Sequence, residues 1–417
     1  MRLKVHSQIL IAIISGALLG LLLGEKAEYI RILGDLFLRL LRMIIIPLIL
    51  ASMVAGIVSL GNVRKLGRLG LRTCAYYAVT TVLAVAVGLV LVNLFRPGAG
   101  VEIGTHQKFE WSEQDQPSAL SIIDDIVPTN IVGAMAKDKV LAIIFFALLL
   151  GVAITSAGQT AKPLTALFEA FNEVMMKITG WIMYLAPFGV FALMAATIGS
   201  MGISVMKPLA IYMCTVIIGL VIHACLTLPT LLFIVARYSP LQLIRAVFSA
   251  VATAFSTASS AATLPITMDC VEKNAGVPNN VASFVLPLGA TVNMDGTALY
   301  EAVAAMFIAQ AYQIDLSFGA QLVIMLTATL ASIGAAAIPG AGLVTMVIVL
   351  KAVNLPLEGI AMILAVDRLL DMLRTAVNVW GDTCGTVVVA HLGGEKIGPA
   401  SEQIKGSGTV QDRTNFV

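Results

Sequence analysis

Ionisable residues are concentrated in one apolar stretch near the end of the chain, residues 356–391. Each charge would cost about 2.5–3.5 kcal/mol at the centre of a bilayer, so these side chains cannot face lipid. At about 100° per helical residue, most of the polar side chains fall on a single stripe about 100° wide. The stripe comprises Asp367, Asp371, Arg374, Thr375, Asn378 and Asp382, and Arg368 belongs to the same stretch. It predicts a site for a zwitterion and a cation; the alternative is a ladder of internal salt bridges that locks the packing.

A second polar group, Asn293-Met294-Asp295-Gly296-Thr297, interrupts the apolar stretch 280–311. Hard monovalent cations bind oxygen ligands, and a locally opened helix supplies free backbone carbonyls. Asn293 and Asp295 beside a glycine therefore predict a sodium site. The alternative is a glycine-kinked helix whose polar groups satisfy one another.

Two further polar features lie in otherwise apolar stretches. Glu301 is a carboxylate with no basic residue nearby in the sequence, and burial favours its neutral form. It is interpreted either as a proton carrier or as a permanently neutral acid. Tyr77, Thr80 and Thr81 offer hydroxyls at helical spacing, although a threonine in a membrane helix usually bonds the carbonyl four residues earlier.

The composition predicts a membrane protein. Of the 417 residues, 59% are apolar and 12% are charged, and the mean hydropathy is +0.94. Such a chain has more apolar surface than soluble cores of this length could bury, so a bilayer must cover the excess. The net charge of +2 gives no indication of a nucleic-acid partner.

No residue pattern predicts an enzyme. The four histidines, His6, His106, His223 and His391, lack the spacing of metal ligands, and the sequence has neither a catalytic Ser-His-Asp order nor a P-loop. The cysteines lie far apart in apolar stretches, so they are interpreted as small buried side chains rather than as disulfides. They are Cys74, Cys214, Cys225, Cys270 and Cys384.

Apolar stretches that can form bilayer-crossing helices lie near 7–24, 34–60, 73–95, 139–157, 174–199 and 207–236. Polar and small residues then split 240–272 at 256–263, and 316–353 at 334–342, into arms too short to cross. Non-helical backbone survives at membrane depth only inside protein or next to water, so each split stretch predicts a re-entrant hairpin. A full span follows each hairpin. The units 240–311 and 316–391 therefore form an internal repeat, typical of a transporter with its site near the membrane midplane.

Charge asymmetry between loops predicts the orientation. The link after the second stretch carries Arg64, Lys65, Arg68 and Arg72 without an acid, whereas 97–126 is rich in Asp and Glu. By the positive-inside rule the first link is cytoplasmic and the second is external. Both termini are then cytoplasmic, in a multi-pass protein of the plasma (cell inner) membrane. The first hairpin approaches from the cytoplasm and the second from outside.

These motifs resemble those of the glutamate transporter family, the dicarboxylate and amino-acid symporters that include excitatory amino-acid transporters and archaeal aspartate transporters. The resemblance covers residues 7 to about 391. Its most specific parts are the serine-rich stretch 256–263, the Asn293 to Thr297 motif, Ile338-Pro339-Gly340-Ala341-Gly342, and the segment from Asp371 to Asp382. It implies sodium ions as coupling ions and no other cofactor.

The resemblance implies an all-α polytopic membrane protein with eight transmembrane helices, two re-entrant helical hairpins and inverted repeats. It also implies a homotrimer, in which residues 1–72 and 97–203 form a scaffold of spans 1, 2, 4 and 5 with an external loop. Residues 73–96 and 204–391 would form a transport domain of spans 3, 6, 7, 8 and both hairpins, which slides across the membrane as an elevator. Residues 392–417 are predicted to be a disordered cytoplasmic tail.

Carried over by position, the resemblance implies a substrate site. Arg374 would bind the side-chain carboxylate of an acidic amino acid, and Asp371 would bind its amino group. Asn378 would lie on the side of the α-carboxylate. Further contacts are implied for Ser259, Ser260, Thr297 and Thr375 and, at an external gate, for Ile338 and Gly342.

The resemblance also implies three sodium sites. The first comprises Gly289, Asn293, Asn378 and Asp382; the second comprises Tyr77, Thr80, Thr81, Asn293 and Asp295; the third lies between Thr291 and the Ser332-Ile333 region. Glu301 stands where proton-coupled animal members carry a glutamate and archaeal members a glutamine, which implies a proton site.

Two positions depart from the family pattern. Archaeal relatives have an arginine at the position of Ala258, and animal relatives have one at the position of Met372. Both are absent here, which leaves Arg368 as the nearest candidate. Ala335 stands where archaeal relatives have a threonine near the gate sodium, so that site must rely on carbonyl oxygens.

Together these features predict a secondary active symporter that takes up L-glutamate or L-aspartate with sodium ions, with the proton as a further candidate coupling ion. The alternatives are a C4-dicarboxylate or neutral amino-acid symporter of the same family, or a passive anion channel. Asp371 suits an ammonium group and would repel a plain dianion, which favours an amino acid as the substrate.

Overall fold

The computed structural model describes residues 5–59, 63–101, 126–137, 139–201, 206–333, 341–395 and 397. Within these residues all regular secondary structure is helical. The predicted all-α class is therefore confirmed. The centre of the second hairpin tip, with Ala335 and Ile338, lies outside the described residues, as do most of the predicted external loop and the predicted tail.

The helices are numbered in chain order. The early ones are α1 (Val5–Leu23), α2 (Arg31–Ser59), α3 (Val63–Phe95), α4 (Ile131–Ala136), α5 (Val140–Ala157), α6 (Lys162–Met201) and α7 (Met206–Ala236). The later ones are α8 (Pro240–Thr257), α9 (Ser260–Asp269), α10 (Asn279–Val292), α11 (Asp295–Ala311), α12 (Phe318–Ile333), α13 (Ala341–Ala352) and α14 (Ile360–Gly393). Single π-helical turns occur within α7 at His223–Thr227 and Leu232–Ala236.

Two helices begin earlier than the apolar stretches that predicted them. α3 begins at Val63 rather than near residue 73, and α6 begins at Lys162 rather than near residue 174. The apolar length measures only the part suited to lipid, whereas leucine, arginine and lysine extend a helix beyond it through their high helix propensity. By length and composition, the described helices Arg68–Phe95, Ala142–Ile182 and Met206–Ala236 are able to cross a membrane. The count of eight spans stays a prediction.

The split stretches form pairs of short helices. α8 ends at Thr257, and Ala258 adopts a left-handed backbone with φ of 49°. Ser259 then caps α9, because its hydroxyl accepts the backbone N–H of Ala262 at 3.2 Å. α8 packs against α9, and α12 packs against α13. That these pairs are re-entrant stays a prediction.

The Asn293 motif breaks a helix. α10 ends at Val292, Asn293 has an extended backbone, and α11 begins at Asp295. The break interrupts the helical hydrogen-bond ladder, so backbone groups at both new ends need other partners. The locally opened helix predicted from this motif is present.

α11 is the central helix around the polar residues. Every residue from Asp295 to Ala309 is buried, and α11 packs against α3, α7, α12, α13 and α14. Elsewhere α6 packs against α1 and α2, and α2 packs against α5. The division into scaffold and transport domains stays a prediction.

The cysteines differ from one another in exposure, although all five are free thiols. Cys270 and Cys384 are buried, as predicted, but Cys214 and Cys225 on α7 are exposed. The prediction is wrong for these two because lipid is as apolar as a protein core. An apolar stretch therefore does not reveal which side of a helix faces inward.

Candidate substrate and cation site

Arg374 lies at the centre of a buried charged cluster. Its Nη2 donates to Asp367 Oδ1 at 3.1 Å and to Asp371 Oδ1 at 2.9 Å. Spacings of seven and three residues bring both acids to the same face of α14 as Arg374. The guanidinium lies 3.7 Å from the centroid of the Tyr300 ring, and Tyr300 donates its hydroxyl to Asp367 at 2.7 Å. Two acids and an aromatic face therefore fix the orientation of the Arg374 guanidinium.

Two guanidinium nitrogens of Arg374 are left over. Nε and Nη1 have no acceptor among the described residues, although the side chain is buried. A buried donor without a partner costs about 1–3 kcal/mol, and more when it is charged. Gly342 lies against the same group, since a Cβ at that position would be 3.0 Å from Nη1. The cluster thus contains salt bridges. A ladder of internal salt bridges alone would have paired every guanidinium nitrogen of Arg374, whereas two of them have no acceptor among the described residues.

Arg368 belongs to the same cluster. Its Nη1 donates to Asp371 Oδ2 at 3.0 Å, while Arg374 binds the other oxygen of that carboxylate. Both side chains of this ion pair are about nine-tenths buried. Arg368 therefore lies next to Asp371. It is the arginine that the sequence offered in place of those that family members carry at the positions of Ala258 and Met372.

Asn378 connects α14 to the start of α11. Its Oδ1 accepts the backbone N–H of Gly296 at 2.8 Å, and its Nδ2 donates to Thr297 Oγ1 at 3.3 Å. A Cβ on Gly296 would lie 2.8 Å from the backbone oxygen of Arg374. Only glycine allows the two helices to approach this closely, which brings the α11 terminus to the charged cluster.

The other residues predicted to contact substrate lie on α14, at the start of α9 and at the second hairpin tip. Thr375 donates its hydroxyl to the backbone oxygen of Asp371 at 2.8 Å. Ser259 and Ser260 are buried at the start of α9, which packs against α14. Ile338 lies outside the described residues. Roles for these residues in binding stay predictions.

Oxygen atoms converge around Thr80. Its hydroxyl lies 3.1 Å from the backbone oxygen of Tyr77, 3.5 Å from Asn293 Oδ1 and 3.3 Å from Asp295 Oδ1. Thr81 donates to the same Asp295 oxygen at 2.7 Å. One hydroxyl hydrogen cannot serve three acceptors, so this cluster has more oxygens than hydrogens. An excess of buried oxygen ligands fits a hard cation such as sodium.

A second oxygen group surrounds Asp382. Asn293 Nδ2 donates to Asp382 Oδ1 at 2.9 Å, and Tyr77 donates its hydroxyl to the Val285 backbone oxygen at 3.0 Å. Gly289 faces both side chains, since a Cβ there would lie 2.5 Å from Tyr77 Oη and 2.7 Å from Asp382 Cγ. The structure thus brings together Gly289, Asn293 and Asp382, with Tyr77 shared between the two groups.

This contact leads to a prediction for Gly289→Ala. We expect the added methyl to push Asp382 and Tyr77 apart, at the cost of about 1–3 kcal/mol typical of overpacking, and to raise the sodium concentration needed for thermal stabilisation. Gly180→Ala is the matched control, because a Cβ at Gly180 would meet nothing within 4 Å. An unchanged sodium response in Gly289→Ala would contradict a cation site at this position.

The third predicted sodium site is less well defined. Thr291 donates to the backbone oxygen of Leu288 at 3.0 Å, and Ser332 donates to that of Thr329 at 2.8 Å. Both hydroxyls thus bond carbonyls of their own helices. Ile333 ends α12, and the residues after it lie outside the described part. This site stays a prediction.

Glu301 is fully buried on α11. Its Oε1 accepts the hydroxyl of Thr345 on α13, and its Oε2 has no partner among the described residues. The sequence has no base near Glu301, and in the described part of the structure its carboxyl contacts a hydroxyl and forms no ion pair. Such surroundings suit a carboxyl that carries a proton.

His223 was missed by sequence reasoning. The ring is fully buried in α7, and its Nε2 lies 3.1 Å from Asp295 Oδ2. The spacing of histidines along the chain gave no signal, because its partner lies 72 residues away. No group of three or more His, Cys, Asp or Glu suited to a metal ion occurs in the described part of the chain. The candidates for cation binding are the oxygen clusters around Thr80 and Asp382.

A comparison with family models decides the family. The model of the sodium:dicarboxylate symporter family matches residues 5–392, which is nearly the whole chain. The chain belongs to the sodium:dicarboxylate symporter family. This membership makes it a multi-pass membrane protein, and the apolar helices described above are consistent with it.

Members of this family that resemble the chain come from animals and bacteria. An "excitatory amino acid transporter" of Caenorhabditis elegans is 38% identical, covering 91% of this chain and 86% of that protein. A "proton/glutamate-aspartate symporter" of Bacillus subtilis is 38% identical, covering 92% and 93%. A "proton/sodium-glutamate symport protein" of Geobacillus stearothermophilus is 36% identical, covering 93% and 94%. The resemblance to glutamate transporters inferred from the motifs is confirmed.

Proposed function

We propose that the chain is a secondary active symporter that takes up L-glutamate or L-aspartate together with sodium ions and protons. The observation that carries the proposal is the buried guanidinium of Arg374, whose Nε and Nη1 lack an acceptor among the described residues. A substrate carboxylate would supply charged oxygens for these donors. Asp371 would receive the amino group, and Asn378 would lie near the α-carboxylate.

The names of the relatives support this choice of substrate and ions. They describe transport of excitatory amino acids, of glutamate and aspartate with protons, and of glutamate with protons and sodium. Two sodium ions would bind at the buried carboxylates, and Glu301 would hold the proton. The first would use Gly289, Asn293, Asn378 and Asp382, and the second would use Tyr77, Thr80, Thr81, Asn293 and Asp295. A third sodium would lie near Thr291 and Ser332.

The proposed architecture follows the same family. Eight spans and two re-entrant hairpins, formed by α8 with α9 and by α12 with α13, would place both termini in the cytoplasm. A homotrimer would be held by the helices of residues 1–72 and 97–203, and residues 73–96 and 204–391 would move as an elevator. The packing of α3, α7, α8, α10, α11 and α14 around the polar residues supports one mobile unit.

Uptake into proteoliposomes tests the proposal. Purified protein is reconstituted, and radiolabelled aspartate, glutamate, succinate and serine are offered with imposed sodium, proton or potassium gradients, each in turn. We expect aspartate or glutamate to accumulate above its equilibrium level when sodium is directed inward. Equilibration without accumulation would indicate a channel, and preferred accumulation of succinate or serine would indicate a different substrate class.

Glu301→Gln tests the proton site. The amide resembles the protonated carboxyl but cannot release a proton, so we expect impaired net uptake, intact substrate exchange, and no acceleration of uptake when the external pH is lowered. Thr345→Val is the matched control, since it removes the hydroxyl that contacts Glu301 but leaves the carboxyl in place. Full net uptake with wild-type pH dependence in Glu301→Gln would mean that Glu301 is a permanently neutral acid.

A further inference from the structure

Asp295 is held on both sides of its carboxylate. Thr81 donates to Oδ1 at 2.7 Å, on the side of the Thr80 oxygen cluster, and His223 contacts Oδ2 at 3.1 Å from the opposite helix, α7. Both His223 and Asp295 are fully buried. The histidine therefore contacts the carboxylate oxygen that lies away from the Thr80 cluster.

The chemistry of this pair assigns the histidine tautomer. An ionised carboxylate only accepts hydrogen bonds, so Nε2 carries the hydrogen. Nδ1 then bears a lone pair, and it has no partner among the described residues. A buried hydrogen at that nitrogen would be without an acceptor, so the hydrogen is placed on Nε2.

The backbone of α7 changes at this residue. A single π-helical turn begins at His223 and ends at Thr227. Such turns are frequent at functional sites, because an additional residue per turn alters the direction of the side chains. The same turn is attached to α14, since Trp380 Nε1 donates to the backbone oxygen of Ala224 at 3.0 Å.

We propose that His223 is a positioning residue of the cation site, which holds Asp295 through Oδ2 so that Oδ1 faces Thr80, Thr81 and Asn293. The inference rests on the proposed cation role of Asp295. It adds a hydrogen-bond donor on α7 to the requirements of the site. None of the sodium ligands inferred from the sequence lies on that helix. In metal sites, losing such a partner typically costs about 10–100-fold in affinity, because the ligand is free to rotate away.

Direct sodium binding separates positioning from general stability. The purified full-length protein, without substrate, is titrated with sodium while its thermal unfolding is followed, and aspartate binding is then measured at saturating sodium. We expect His223→Leu to raise the half-maximal sodium concentration about 10–100-fold and to leave aspartate affinity at saturating sodium unchanged. His223→Gln retains an N–H donor of similar reach and should restore a near wild-type sodium response.

Two further variants keep the test decisive. His223→Asn is polar but too short to reach Asp295, so it should resemble His223→Leu and replaces it if the leucine protein does not fold. Trp380→Phe removes the neighbouring attachment of α7 to α14 without touching Asp295, so its sodium response should match wild type. Equal losses in Trp380→Phe and His223→Leu, or a loss in His223→Gln as large as in His223→Leu, would overturn the positioning role.

The wild-type titration distinguishes a failure of the His223 role from a failure of the cation site. If wild type shows sodium-dependent stabilisation and His223→Leu shows the same half-maximal concentration, His223 has no positioning role but the cation site stands. If wild type shows no response to sodium, the proposed cation site fails and the role of His223 fails with it.

Discussion

Replacing Arg374 by cysteine should convert an acidic amino-acid carrier into one for small neutral amino acids. The guanidinium is buried, and without it the second carboxylate of aspartate has no cationic partner at this position. Removing one partner of a buried ion pair costs about 3–5 kcal/mol, which corresponds to at least a hundredfold weaker binding. Serine, alanine and cysteine lack the second carboxylate and still find Asp371 for the amino group, so they should bind better than aspartate.

The measurement is the binding of aspartate and serine to the purified, folded Arg374→Cys protein. Arg368→Gln is the matched control. It removes another arginine that binds Asp371, but it leaves Nε and Nη1 of Arg374 in place. The control should keep the preference for aspartate. If Arg374→Cys also prefers aspartate, or loses all substrates alike, Arg374 serves only to neutralise Asp367 and Asp371.

Asp382→Asn should sharply weaken sodium binding. Asp382 is buried, accepts the Asn293 amide and faces Gly289, so the substitution removes a charged oxygen ligand and keeps the side-chain volume. We expect the half-maximal sodium concentration to rise at least about tenfold, since losing even an outer partner of a metal ligand has an effect of this size. Contacts between Arg374 and a substrate carboxylate should be unaffected.

The decisive comparison uses Asp367→Asn. This variant neutralises another buried acid of α14, one that contacts Arg374 and Tyr300 instead of the oxygen clusters. Sodium titrations of thermal stability should therefore shift in Asp382→Asn and stay near wild type in Asp367→Asn. Equal shifts in both variants would mean that sodium responds to the total charge of α14 and not to a site at Asp382.

Much of the helical framework could be predicted from the sequence, because membrane helices are marked by the length of their apolar stretches. The polar stripe of α14 and the break at Asn293 were also predictable, since both are properties of one segment. The stripe correctly brought Asp367, Asp371 and Arg374 to one face. Arg368 lies just outside that stripe, but its spacing of three residues from Asp371 already makes the two side chains neighbours on the helix surface.

Most contacts between helices could not be predicted from the periodicity of the sequence. The Tyr300 ring against Arg374, Thr345 at Glu301 and His223 at Asp295 each join residues on different helices. Periodicity tells which residues share a face of one helix, but not which helix that face meets. The position of His223 in an apolar stretch therefore gave no indication that its partner would be Asp295 on another helix.

The interruption between α10 and α11 has a mechanical consequence. A break in a helix is ordinarily a place where it bends. Here it is braced, because Asn293 is bonded to Asp382 and Gly296 to Asn378, both on α14. Bending at the break would rupture these buried bonds, so the three helices behave as a cross-linked frame. We therefore expect any bending of these helices to occur in the connections outside this frame.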